Sequence, residues 1–420
     1  MRTACFGNRL RLAATIFVLA AAIRSPIAIG GETSWPQWRG PTRDGLLPPT
    51  EWPDRLDATR LKPLWRVELG SSYSGPIVND KSVFVTETRD QKLEIVRALD
   101  RATGKEQWSA FWEGSLTTPF FAAENGSWIR ATPACDAERL YVAGMRDVLV
   151  CLDLTSGRQL WRVDFVKDFA APVPAFGFVS SPLVLGDYLY VQAGASFVKL
   201  EKKTGKEIWR TLKDVGGMWG SAFSSPVVAT LAGKPQLVVQ TRDKLAGIDD
   251  ATGAELWSQS IPAFRGMNIL TPTIVGDSIF TSAYGGKSLL LKVELSGQKF
   301  KISDAWENKT QGYMSSPVVI GESAYLHLRN QRFTCIDLAT GKETWTTKPY
   351  GKYCSLVAQA DRILALDERG ELLLIRANPK KFELLDSCKI SDSPTWAHLA
   401  VCGDEIYVRE LNAQAAYRWK

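Results

Sequence analysis

The phrase KLEKKTGKEIW, residues 199–209, returns along the chain as ALDRATGKEQW (98–108), CLDLTSGRQLW (151–161), GIDDATGAELW (247–257) and CIDLATGKETW (335–345). The shared glycines, Gly104, Gly157, Gly205, Gly253 and Gly341, are spaced by 53, 48, 48 and 88 residues. The last interval is twice 44, and a degenerate copy, KVELSGQKFKISDAW (292–306), falls inside it. Between the copies a second theme recurs: SGPIVNDKSVFV, ATPACDAERLYV, SSPLVLGDYLYV, SSPVVATLAGKPQLVV, TPTIVGDSIFTS, SSPVVIGESAYL, and the weaker SLVAQADRILAL and HLAVCGDEIYV. Each unit reads as a short apolar strand, a Gly/Asp turn and a second strand rich in Val, Ile and Tyr. The Thr-Gly phrase adds a third strand, a turn at a glycine free to take positive φ, and a fourth strand carrying the Trp.

Four strands in every period of about 45 residues predict an all-β fold, an eight-bladed β-propeller of four-stranded blades. After AQAAYRW (413–419) the chain has no fourth strand for its last blade, whereas LKPLWRVEL (61–69) has no partners near the start. The N-terminal strand is therefore expected to complete the last blade and close the ring. Seven blades with a stray hairpin is the alternative, because the copies between 356 and 390 are degraded. Trp108, Trp161, Trp209, Trp257, Trp306 and Trp345 are expected to stack between blades on the next glycine turn. Asp100, Asp153, Asp249 and Asp337 are expected to cap those turns rather than to catalyse.

Of 420 residues, 45% are apolar and 23% charged, which suits a packed globular body. Residues 1–31 read as a secretory leader, with Arg2, Arg9 and Arg11 before an apolar run over 12–23 and small residues at Ala28 and Gly30. That run is too short to span a bilayer; an uncleaved anchor is the alternative. The organisation expected is a leader (1–31), a Trp/Pro-rich latch (32–60) and the propeller (61–420). The leader holds four of the 51 basic residues against 45 acidic ones overall, so the remainder is near neutral and a nucleic-acid partner is not expected. The expectation is an exported, periplasmic or envelope-associated monomer without a transmembrane segment. Beyond Cys5 the six cysteines are scattered, with no CxxC or adjacent pair, and buried free thiols are favoured over disulfides.

Only His327 and His398 occur, so no His-based metal cluster can be assembled. There is no G-x-S-x-G elbow and no phosphate-binding glycine loop, and the serines of GSAFSSP (220–226) suit backbone bonding. No catalytic, metal or cofactor residues are assigned.

The phrase A-x-D-x-x-T-G-x-x-x-W resembles the pyrroloquinoline quinone (PQQ) repeat, over roughly residues 61–420. The stretch WPQWRGPTRDG (35–45) looks like the segment preceding the propeller in exported bacterial proteins with such repeats. The resemblance implies an eight-bladed fold shared by quinoprotein dehydrogenases and by binding-only propellers of the BamB type. In the dehydrogenases it implies a vicinal disulfide, a calcium or lanthanide site of Glu, Asn and Asp, and a catalytic Asp. No adjacent cysteines exist here and no Glu, Asn and Asp match that set. A non-enzymatic binding or scaffold propeller of the cell envelope is therefore expected. A PQQ-dependent oxidoreductase is the alternative, and a carbohydrate- or polymer-binding propeller the third reading.

Large or polar side chains just before the inner strands, Tyr73, Trp128, Phe178, Trp219, Asn268, Tyr313, Tyr353 and Trp396, should surround one mouth of the channel. Arg89, Arg146, Arg242, Arg329 and Arg409 follow the second strands and should flank it. Aromatic side chains beside arginine suit a protein partner or a small anionic or polymeric ligand; the alternative is arginines paired locally that merely solvate loops. The stretch SWPQWRGPTRDGLLPPTEWPD (34–54) is read as a latch anchoring the entrance strand on the wheel's surface. Arg39, Arg43 and Asp44 would carry a site if it is not one.

Overall fold

The computed structural model describes residues 34–49, 52–214 and 220–420. The leader expected over 1–31 lies outside the described residues, as does Trp219. Among the described residues thirty-two strands form eight antiparallel four-stranded sheets, seven of them ordered along the chain. Blades 1 to 7 span 77–113, 134–164, 183–211, 227–260, 273–308, 318–349 and 354–389. Blade 8 joins Ala400–Cys402, Glu405–Glu410 and Ala413–Trp419 to the N-terminal strand Leu61–Glu68. That strand runs antiparallel to the last one, from Leu61 opposite Trp419 to Glu68 opposite Ala413, so the last blade is completed and the ring closes. The degraded stretch forms a complete seventh blade, which removes the seven-bladed alternative. No helix among the described residues is long and apolar enough to cross a membrane.

The apolar core lies in layers between blade faces. Tyr141, Leu149 and Cys151 of blade 2, for example, pack with Leu189, Val191 and Leu200 of blade 3. The repeat Trp locks each layer at its outer end. Trp65, Trp108, Trp161, Trp209, Trp306 and Trp345 each donate their indole N–H to a carbonyl of the next blade, at Arg101, Leu154, Lys202, Asp250, Leu338 and Asn378. In five of these pairs the ring also lies against the following turn's glycine. Gly205 shows why that residue is fixed: its φ is +75°, and a Cβ there would stand 2.8 Å from the Trp161 ring.

Trp257 departs from the expectation. Blade 5 replaces the Thr-Gly turn with a longer hairpin, Ser288–Ser296 and Lys299–Asn308, whose Gly297 touches nothing. Without that docking surface, Trp257 donates to Gln236 of its own blade at 2.6 Å. The turn acids behave as capping residues. Asp100, Asp153, Asp249 and Asp337 each accept a hydroxyl and a backbone N–H three residues on, and the hydroxyl contact holds each carboxyl below its ordinary range. All six cysteines among the described residues are free thiols, five of them buried.

Trp161→Ala removes a partly buried ring and its indole hydrogen bond and is expected to cost about 2–4 kcal/mol, toward the lower end of Trp truncations. Gly186 has φ +58° and open space around its Cβ position, so Gly186→Ala should cost only the left-handed strain of about 1–2 kcal/mol. Gly205→Ala adds displacement of Trp161 to that strain. Urea unfolding of the three variants should rank Gly186→Ala mildest by a clear margin; equal losses would refute the inter-blade lock.

Candidate binding mouth and plugged channel

Each inner strand begins after a short polar turn, in three blades Ser-Ser-Pro: 180–182, 224–226 and 315–317. Proline has no N–H, so it can open a strand at the channel wall, where its bare carbonyl is left needing a donor. The hydroxyl before it ties blades together: Thr132, Ser181, Ser225 and Ser316 accept the backbone N–H of Gly75, Thr132, Ser181 and Thr271 on the preceding blades.

The segment 34–48 does not lie over the wheel's surface, as a surface latch would; it runs through the centre. Trp35 exchanges backbone hydrogen bonds with Val78 of blade 1, and Pro36 accepts from Cys135 N of blade 2. The Arg43 guanidinium donates to Ser181 O and Pro182 O before blade 3, at 3.0 and 2.8 Å, and to Pro226 O before blade 4 at 2.8 Å. Trp38 donates to Thr271 before blade 5 at 2.9 Å, and Arg39 to Pro317 O before blade 6. Gly45 and Leu47 bracket Ala358 of blade 7, and Trp38 meets His398 of blade 8 edge-on at 5.0 Å. All eight blades are thus touched by one strap. Arg39 and Arg43 are 1% and 2% exposed. Burial lowers their pKa to about 10 and about 9, so both stay charged at neutral pH; Arg43 has carbonyls in place of water, whereas Arg39 bonds Pro317 O alone, its Nε and Nη1 having no partner among the described residues.

Above the strap lies a cavity of about 160 Å³, floored by Trp38 and His398. Its rim is a row of rings: Trp128 on Tyr73 at 5.2 Å, Tyr73 on Trp396 at 4.6 Å, Trp396 parallel to Tyr353 at 3.9 Å, then Tyr313, Tyr284 and Phe264. The loop 114–133, with a 3-10 turn at Phe120–Asn125, reaches across this mouth. Its Phe121 meets Phe176 of the blade 2–3 loop and lies under the guanidinium of Arg265 from the blade 4–5 loop.

Of the residues expected at the mouth, Tyr73, Tyr353 and Trp396 line the cavity, and Trp128 and Tyr313 extend the row. Arg329 joins it over the Tyr284 ring at 4.8 Å. Phe178 is buried against Phe165, and Asn268 is buried with its amide bonded to the carbonyls of Arg242 and Ile261. Arg89 pairs with Glu87 and Arg242 with Asp214, as in the local-pairing alternative. Arg146 faces a separate basic groove with Lys92, Arg162 and Lys167. Arg409 is 1% exposed and does not reach the mouth. Its side chain turns inward and donates to Leu411, Ala413, Gly70 and Thr86 carbonyls, clamping blade 8 to blade 1. Sequence reasoning missed Phe120, Phe121, Arg130, Phe264 and Arg265. The Pro-Phe-Phe of LTTPFFAAENGSW (116–128), in a stretch without strand period, was the available signal.

Two buried acids staple neighbouring blades. Glu94 accepts from Trp112 and from Met145 N, and Asp147 from Gly194 N at 2.8 Å. Burial pushes both carboxyls up to about 7, Asp147 also by the nearby Asp164 charge. With native pKa above the unfolded value, the folded state holds more protons between about pH 4 and 7, so this contribution falls as pH rises through that window. Asp147→Asn keeps the acceptor and suits φ +59°. It should flatten the decline by about 1.4 kcal/mol per pH unit, read from urea midpoints at pH 5, 6, 7 and 8. In the strap, Arg43→Lys cannot serve carbonyls on two blades with one ammonium, and should lower the melting temperature by several degrees; an unchanged Tm would show that the strap is not held this way.

Among the described residues no cluster of three or more His, Cys, Asp or Glu is placed to hold a metal. Residues 92–347 match the family described as outer membrane protein assembly factor BamB. One relative, the assembly factor BamB of Moranella endobia, is 25% identical over 348 residues, covering 74% of this chain and 84% of its own length. The crystal structure of BamB from Moraxella catarrhalis superposes with a TM-score of 0.63 at 14% identity, covering 86% of this chain and 98% of that one. A europium-containing methanol dehydrogenase superposes at 0.52 with 11% identity, over 91% and 90% of the two chains. The two structures share the fold with this protein.

Proposed function

Since the chain belongs to the family of the outer membrane protein assembly factor BamB, we propose that it is a non-enzymatic binding propeller of the cell envelope. Its aromatic mouth holds a protein partner. The observation that carries this reading is the lip itself. Phe120 is 91% exposed, Phe121 43% and Phe264 48%, and they are brought together from the loops after blades 1 and 4 with Arg265 between them. Aromatic side chains gathered around an arginine are the usual anchors of a protein interface. The remaining large exposed apolar side chains sit on strands, as Phe111 and Leu384 do, except Val173 in the blade 2–3 loop. The name of the matched family supports an envelope setting and an assembly role. An oxidoreductase reading gains less, since the channel centre is filled by Arg39 and Arg43.

A photo-crosslinking amino acid at position 120 should capture a protein in the native envelope, and the same group at position 111 should not. Phe264→Ala with Arg265→Glu should abolish the adduct while leaving the melting temperature within a degree or two. Capture from position 111 alone, or an adduct indifferent to the double change, would move the interface elsewhere. Titration with PQQ and calcium, read by the quinone spectrum, tests the enzymatic alternative in parallel.

A further inference from the structure

Among the described residues the cavity below the lip has a single cation in its lining, Arg130, while Glu124 stands near its Tyr313–Tyr353 side without pairing with Arg130. Its walls divide by chemistry. One side is apolar, with Val179, Met267, Ile269, Met314 and Phe223; the other holds Tyr73, Tyr353, Trp396 and Arg130. Arg130 is the one charged side chain among the described residues lining it, because His398 is neutral. Burial and Arg39 hold the His398 pKa down to about 3, and its Nδ1 donates to Leu399 O.

The Arg130 guanidinium is fixed by two carbonyls of its own loop, Gly126 O at 2.7 Å and Trp128 O at 3.2 Å, so it is held in place before any ligand arrives. No acidic side chain among the described residues forms an ion pair with it, and burial lowers its pKa to about 10. Arg130 is part-buried, and a cation that has lost much of its water gains from a counter-charge. It differs from Arg39 and Arg43 in facing a cavity rather than carbonyls of other blades. A second observation points to a polar occupant: Ser355 Oγ, on a side chain more than nine-tenths buried, has no hydrogen-bond partner among the described residues and lines this cavity, so its hydroxyl is a further donor for an anion.

We propose that this cavity binds a small aromatic carboxylate, the carboxylate on Arg130 and the ring between the Met267–Met314 wall and the Tyr353–Trp396 pair. The volume, about 160 Å³, is the size class in which engineered apolar cavities of about 150 Å³ admit a benzene ring. Thioether walls and a flat aromatic pair suit a planar occupant. The site is independent of the protein contact at Phe120, and either stands if the other fails.

Isothermal titration of the full chain with phenylacetate, phenylacetamide and acetate tests it. Phenylacetate should bind, with the amide and acetate each about tenfold weaker or worse, as the loss of a charge-assisted bond or of the ring demands. Arg130→Gln should remove the preference for acid over amide. Because Arg130 also organises its loop, Met314→Trp provides a second arm: it fills the apolar side, leaves Arg130 in place, and should abolish binding with an unchanged circular dichroism spectrum. Equal affinity for acid and amide, equal affinity for acetate and phenylacetate, or full binding by Met314→Trp would each overturn the proposal.

Discussion

The contacts between two buried guanidinium groups and a ring of carbonyls hold the rest of this structure in place. Eight inner strands converge on one axis, and the residues that open them, Pro182, Pro226 and Pro317 among them, turn carbonyls toward it. A wheel of this size must supply donors there, from water, a ligand or its own chain. Arg43 meets two blades at once, in the fork geometry that guanidinium provides and ammonium does not, and Arg39 meets a third through one N–H. The strap then leaves the axis for the rim. Leu56 N is held by Asp386, and Arg55 O by the Trp419 indole, before Leu61–Glu68 enters blade 8. One short segment is thus tied both at the hub and at the closing seam.

The rim depends on a second contact, which repeats. Each Trp–glycine pair couples a blade to the next by ring burial and by an indole hydrogen bond, so the blades are linked in series and the Leu61–Glu68 strand turns the series into a ring. Blade 5 has lost the glycine turn and compensates along its edge. Its last strand lengthens to Lys299–Asn308 and packs along Glu255–Ser260 of blade 4, replacing a point contact with an edge contact. The ring stays closed although one Trp has turned inward, because strand length there makes up for the missing turn.

The blade count, ring closure and turn caps were legible because a covalent period records them: a glycine every 44 to 53 residues, a Trp four residues on, an Asp four before. The strap was half legible. Its prolines and tryptophans marked a fixed path, but its partners at Ser181, Pro226 and Pro317 lie 138 to 278 residues away, and nothing local in the sequence records them. The arginines show the same limit. Arg329 follows its second strand, Ser323–His327, whereas Arg409 falls inside its own, Glu405–Glu410, so one lies over the Tyr284 ring and the other in the seam between blades 8 and 1. Inner-strand aromatics read better, since Tyr73, Tyr353 and Trp396 sit on the blade period, whereas Phe120 and Arg265 come from insertions that have none.

The strap also decides which face of the wheel can act. An open propeller channel has two mouths, but Trp38 and His398 close this one from below, leaving a cup with a single opening. The cup's lip is uneven. The loop after blade 1 runs twenty residues, 114–133, whereas the loop before blade 7 runs four, 350–353. The tall side carries Phe120, Phe121 and Arg130; the low side exposes the Tyr313, Tyr353 and Trp396 row. The protein contact proposed at Phe120 and the small-molecule site proposed at Arg130 therefore rest on different side chains of one cup, whose bottom is closed by the strap.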